Sequence, residues 1–182
     1  MVGGIIGNKT LIKYLVENGA EVSLTDILGR NALQIVLAQA YCNKKYANTK
    51  LSSIYGLLAP SSINIKAEGK LIKIDNHLME FFMFNVMRSI LPEKCSEECS
   101  EDCFSPGFSA ADFVEGLKYF PNNVLLERRK KRNYISGILS KNEVSSNNPY
   151  NRKIFKRTIR GYYILNPDLE IKGNNNNKWV KV

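Results

Sequence analysis

The stretch LIKYLVENGAEVSLTDILGRNALQIVLA, Leu11–Ala38, decides how the first third of the chain is read. Leu11, Leu15 and Val16 share one face at the three-to-four spacing of a helix. Asn18-Gly19 ends that helix, because glycine enters the left-handed conformation of a helix stop without steric cost. EVSLTDILGR then reads as a turn-rich finger, with Asp26 and Gly29 as turn residues. A second helix starts at Asn31 and is expected to bury Leu33, Val36 and Leu37.

Helix, finger and helix in that order resemble the ankyrin repeat, L-L-x-x-G-A-x-V followed by D-x-x-G-x-T-x-L-H-x-A. Leu15-Val16, Gly19-Ala20, Val22, Asp26, Gly29 and Leu33 fit the pattern. Asn31 stands where the family has Thr, and Gln34 where it has His, which implies a looser corner there. A weaker copy follows in IYGLLAPSSINIKAEGK, Ile54–Lys70. Leu15 to Leu57 spans 42 residues, nine beyond the repeat length of about 33. The surplus is placed in QAYCNKKYANTK, 39–50. So few repeats do not bury a continuous core alone. Either the chain is part of a longer repeat protein, or the following domain caps the stack. The resemblance covers about residues 10–75 and implies protein binding or a capping role.

INIKAEGKLIKID, Ile63–Asp75, alternates apolar and polar residues around Glu68-Gly69 and reads as a β-hairpin. Asp75 or Asn76 is then positioned to cap the helix HLMEFFMFNVMRSIL. Leu78, Phe81, Phe82, Val86 and Ile90 form its apolar stripe, and Met79, Met83 and Met87 fill core along another face. Domains are placed at 1–75 and 76–182.

Between them, PEKCSEECSEDCFSPG, Pro92–Gly107, repeats Cys95, Cys99 and Cys103 among acidic residues. Zinc sites favour paired cysteines with two further ligands, and the remaining thiol, Cys42, lies in another segment. The stretch 92–106 is read as an acidic linker, and no metal or cofactor is expected.

Net charge is +9 and unevenly distributed. From Val124 to Arg160 there are eleven cations and two anions. A regional excess of this kind suits a surface that meets a polyanion. Its centre is ERRKKRNYISGIL, Glu127–Leu139, where Arg128, Arg129, Lys130, Lys131 and Arg132 lead into helical spacing at Tyr134, Ile135, Ile138 and Leu139. Asn123 is read as the cap of that helix, and Gly137 as a place where another helix approaches closely. Upstream, Ser109 and Asp112 approximate a capping box for FSAADFVEGLKYF. Downstream, RKIFKRTIRGYYILNP reads as a hairpin broken at Arg160-Gly161.

Helix, turn, basic helix and basic hairpin resemble a winged helix-turn-helix domain across about residues 77–168. The resemblance implies a mainly α protein with small β-hairpins, a partial ankyrin-like stack plus an α+β winged helix. It also implies a basic helix in the DNA major groove and a hairpin wing on the backbone or in the minor groove. Candidate nucleic-acid contacts are Arg128, Arg129, Lys130, Lys131 and Arg132, with Lys153, Lys156, Arg157 and Arg160 on the wing. Arg129, Lys130 and the wing cations are expected on one exposed face. Duplex DNA is favoured over RNA, since no RRM or KH signature is present. The alternative is a protein-interaction adaptor whose winged helix binds no nucleic acid.

No P-loop, G-x-G-x-x-G, H-E-x-x-H or G-x-S-x-G occurs, and His77 is the single histidine, so no enzyme is expected. No apolar run reaches the roughly 18 residues of a membrane span. Four cysteines without a secretory leader suggest the cytoplasm. KGNNNNKWVKV is read as poorly ordered up to Trp179, which pins the terminus.

Overall fold

The computed structural model describes residues 1–90, 107–172 and 179–182. Asn8 opens the second helix by accepting the Leu11 N–H at 3.0 Å. After α1 (Val2–Ile6), α2 (Lys9–Glu17) runs to Gly19, whose φ of 82° makes the left-handed stop. In α2, Ile12 is buried and Val16 packs against the core, whereas Leu11 and Leu15 face outward. The apolar face read at Leu11 and Leu15 is therefore largely exposed.

Asp26 closes the finger: its carboxylate accepts the N–H groups of Leu28 and Arg30 and pairs with the Arg30 Nε at 3.0 Å. Gly29 provides the positive φ of 71° that the turn requires. Asn31 and Gln34 then form a reciprocal capping box at the start of α3 (Ala32–Cys42). The expected looser corner is a correction: the side chains present tie it with two hydrogen bonds. Leu33, Val36 and Leu37 are buried as read.

Segment 39–50, where the surplus is placed, is largely helical. It runs through the end of α3, α4 (Lys44–Tyr46) and most of a π-helical turn (Ala47–Leu51), and α5 (Ser52–Leu58) follows. Tyr46, Ala47 and Leu51 carry its buried side. Strands β1 (Ser62–Ala67) and β2 (Lys70–Asp75) form the expected antiparallel hairpin. Glu68 and Gly69 both have positive φ, the signature of a tight two-residue hairpin turn.

α6 (Met79–Ile90) is the central helix, buried on all sides except near Arg88. It begins at Met79. Asn76 instead donates its amide to the Pro60 carbonyl, and Asp75 stays in β2, so neither residue caps the helix as expected. Met79, Met83 and Met87 fill core. Gln34 of α3 donates to Asn85 of α6 at 3.1 Å, a buried polar link between the helices.

β3 (Phe108–Ser109) precedes α7 (Ala110–Leu117), which opens with the expected Ser109–Asp112 capping box. A 3-10 turn (Glu127–Arg129) leads to α8 (Arg132–Lys141). The basic run is thus mostly outside the helix. Asn123 bonds the Ser52 hydroxyl at 2.7 Å and caps nothing. β4 (Phe155–Arg157) and β5 (Tyr162–Leu165) make the hairpin read at Arg160-Gly161. β6 (Glu170–Lys172) and β7 (Trp179–Lys181) complete the described chain.

The architecture is α+β, with helices and two small antiparallel sheets. One sheet has the order β3-β5-β4 and the other β2-β1-β6-β7. The second takes strands from both sides of residue 75. A single hydrophobic core extends from Ile12 to Leu169. Lys66 lies 4.3 Å from the Trp179 ring centroid, which holds the last strand on the sheet as read. Cys95, Cys99, Cys103 and the linker 92–106 lie outside the described residues, as do 173–178 of the tail.

Candidate nucleic-acid interface

α8 buries Ile135 and Leu139 against the core and packs Ile138 beside them. Its opposite face presents Arg132, Asn133, Tyr134, Ser136, Gly137 and Ser140 to solvent. No aspartate or glutamate occurs from 128 to 142. Nothing lies within 4 Å of the position a Gly137 Cβ would take. The expected close helix at Gly137 is corrected: the glycine sits on the open face and keeps it flat. The glycine that a neighbour does crowd is Gly116, where a Cβ would fall 2.0 Å from the Tyr41 ring.

The hairpin lies alongside that face. Arg157 of β4 donates from Nη2 to the Tyr163 hydroxyl at 2.8 Å. The same hydroxyl lies 3.4 Å from the Ser140 Oγ of α8. This relay fixes the wing-like hairpin against the C-terminal half of α8, with Arg132 about 12 Å away along the helix.

The nine candidate cations divide by what holds them. Arg128, Lys131, Arg132, Lys156 and Arg160 are exposed and, among the described residues, form no ion pair. Arg157 is exposed but engaged with Tyr163. It also faces Glu143. Burial alone would raise the carboxyl pKa of Glu143, but hydrogen bonds from Ser145 and from the Arg157 backbone, with the Arg157 charge, hold it below its usual value.

The remaining three have structural partners. Lys130 is 7 % exposed and donates its ammonium to the Phe120 carbonyl at 2.7 Å and to Glu127 at 2.8 Å. Its expected exposure is a correction: the chain turns at 127–130 and points this one cation inward. Arg129 is half-buried and donates to the His77 carbonyl at 2.6 Å. Lys153 reaches back to Glu68 at the β1–β2 turn, 2.5 Å away. It is therefore tied to the first hairpin, away from the 158–161 turn.

Sequence reading missed the polar bracket beneath this surface. Glu80, buried in α6, accepts the Arg152 guanidinium at 2.9 Å and the Asn142 amide at 3.3 Å. Asn142 also accepts the Arg152 backbone N–H, so α8, the loop after it and α6 are bound at one point. A glutamate within a mostly apolar, buried helix was the available signal.

Among the described residues no His, Cys, Asp or Glu cluster could hold a metal ion, and no helix is long and apolar enough to cross a membrane. Comparison of the chain with protein-family models, with curated proteins and with solved structures finds no match.

Proposed function

We propose that residues 79–165 form a winged-helix unit that binds duplex DNA, with α8 entering the major groove and the β4–β5 turn on the adjacent backbone. The observation that carries this reading is the Arg157–Tyr163–Ser140 relay. It sets a basic hairpin beside a helix face that has no carboxylate. The element order α6, α7, α8, β4, β5 supports it, since it runs as the helix, turn, basic helix and hairpin of the resemblance do.

Arg128, Lys131 and Arg132 cluster at the start of α8, and Lys156 and Arg160 flank the hairpin turn. Their free charges suit phosphates, which position a protein without reading sequence. Asn133 and Ser136 are exposed side chains on α8 with hydrogen-bonding capacity for base edges. The protein is a non-enzymatic regulatory or replication-type factor in this reading.

Fluorescence anisotropy with labelled duplex DNA, single-stranded DNA and duplex RNA tests it. Duplex DNA should bind tightest at low salt, with affinity falling linearly on a log–log salt plot. Equal weak binding to all three, or none, overturns it.

A second reading, a protein-interaction adaptor, is favoured by the N-terminal surface. Val2, Ile5, Ile6, Leu11 and Leu15 are exposed, and Ile27 at the finger tip is fully so. Where such exposed apolar side chains adjoin in a patch, they mark interaction sites.

A further inference from the structure

Arg88 is a half-buried guanidinium that, among the described residues, has no carboxylate paired with it. Of its five N–H donors, one is used among the described residues, by Nη2 to the Gly29 carbonyl at 3.3 Å. Burial pulls its pKa below the usual value. Its remaining donors face the solvent-accessible cleft, where they are open to an anionic partner.

Arg88 lines a cleft of about 180 Å³ between the 23–31 finger, α6 and strands β1 and β6. Among the described residues no aspartate or glutamate lines it. Lys172, at the end of β6, brings a second positive charge, and the amides of Asn31 and Asn64 bring further donors. Gln34 and Asn85 are already engaged with each other. Ile63, Ile65, Phe84 and Ile171 form the apolar part of the wall.

We propose that this cleft binds a small organic anion, a carboxylate or phosphate monoester carried on a compact apolar body. Arg88 takes the anionic head through charge-assisted hydrogen bonds, which are stronger than neutral ones. Lys172 adds attraction at the rim, and the isoleucines with Phe84 cover the apolar body. The volume falls below the ~300–1,000 Å³ typical for drug-sized ligands, which restricts the ligand to a small molecule. Gly29 belongs to the site. A Cβ there would stand 3.1 Å from the Arg88 Nη2, and the positive φ already disfavours any side chain. This site is separate from the basic surface of α8 and does not depend on DNA binding.

Calorimetric titration of the full chain with phenyl phosphate, benzoate, inorganic phosphate and neutral benzyl alcohol tests the assignment. Phenyl phosphate or benzoate should bind saturably and more tightly than inorganic phosphate or benzyl alcohol. Arg88→Gln should weaken that binding at least tenfold, and Lys13→Ala, at an exposed cation outside the cleft, should leave it unchanged. If Arg88→Gln does not fold, Lys172→Ala and Asn64→Ala serve instead, each expected to weaken binding several-fold. Benzyl alcohol binding as tightly as the anions, no saturable binding at low-millimolar concentration, or affinity indifferent to these substitutions overturns the proposal.

Discussion

The ammonium of Lys130 sits 2.7 Å from the backbone carbonyl of Phe120, inside the turn that carries the basic run. One member of a five-cation string is therefore a structural strut. It satisfies the carbonyl that follows α7 and pins the 3-10 turn from within. Lys130→Met keeps the stem and removes the donor. It should destabilise the fold by about 1.5–3 kcal/mol, the range for hydrogen bonds to charged groups. Chemical denaturation checks this. A loss under 0.5 kcal/mol, the scatter of ordinary surface changes, would remove the strut role.

The same division orders the proposed DNA contacts. Alanine at Arg128, Lys131, Arg132, Lys156 or Arg160 should each reduce the salt slope of duplex binding by up to about 0.9, one phosphate's worth. Lys153→Ala should leave it nearly unchanged, because Lys153 is held by Glu68. Arg157→Ala should have a mixed effect, weakening affinity and loosening the hairpin from α8. If Lys153→Ala lowers the slope as much as Lys156→Ala does, the hairpin's docking geometry is wrong.

Glu80 and Arg152 form the ion pair beneath the surface, with the Glu80 side chain 4 % and the Arg152 side chain 27 % exposed. Removing one partner of a buried pair typically costs about 3–5 kcal/mol, and the partial exposure of Arg152 places this pair toward the low end. Glu80→Ala also orphans the Asn142 amide. The double variant Glu80→Met with Arg152→Met should recover part of the loss, since the pair is replaced by apolar volume. A double variant as damaged as the sum of the singles would argue against direct coupling.

What the sequence made legible was local. Gly19, the Asp26–Gly29 turn, the Ser109–Asp112 box and the Glu68-Gly69 hairpin each follow from residue chemistry within four or five positions. So does the methionine series of α6, which repeats at one turn's spacing. What stayed hidden was non-local. β6 is three residues long and gains its identity from pairing with β1, about a hundred residues earlier. No periodicity in Glu170–Lys172 announces that. At the candidate interface, the string Arg128–Arg132 looked uniform because composition carries no direction. The turn at 127–130 sends Arg129 and Lys130 to backbone carbonyls and leaves Arg128, Lys131 and Arg132 exposed, and only the geometry separates Lys130 from Lys131. The Arg88 cleft was equally invisible, since its walls come from five separate segments.

The finger has a pH signature. Burial alone would raise the carboxyl pKa of Asp26, but the backbone and side-chain bonds from Arg30, with its charge, outweigh that and hold it below the ordinary 3.8. A depressed folded pKa contributes stability that is complete above the unfolded value. That stability is lost as pH falls through 3.8 toward the folded pKa. Asp26→Asn removes this contribution, so the stability gap between wild type and variant should be constant near neutrality and shrink below about pH 4. A gap that widens on acidification would reverse the assigned sign.

Residues 1–75 contain two helical units and a hairpin, yet their apolar faces meet the rest of the chain. α3 lies against α6, with Gln34 bonded to Asn85. β1 has β6 on its free edge. Leu33, Val36, Leu37, Ile65 and Ile74 share one core with Phe81, Phe82 and Val86. Cut at residue 75, the fragment exposes the inner side of α3 and an unpaired strand edge, a combination that favours aggregation over folding. The isolated piece should show no cooperative thermal transition, whereas the whole chain should unfold as a unit. Adding residues 76–90 restores α6 but not β6, so that longer piece should gain helix content while its hairpin amides stay weakly protected from hydrogen exchange. A cooperative transition in the 1–75 piece, with protected β1 amides, would mean that the repeat-like segment stands alone and that the shared core adds little to it.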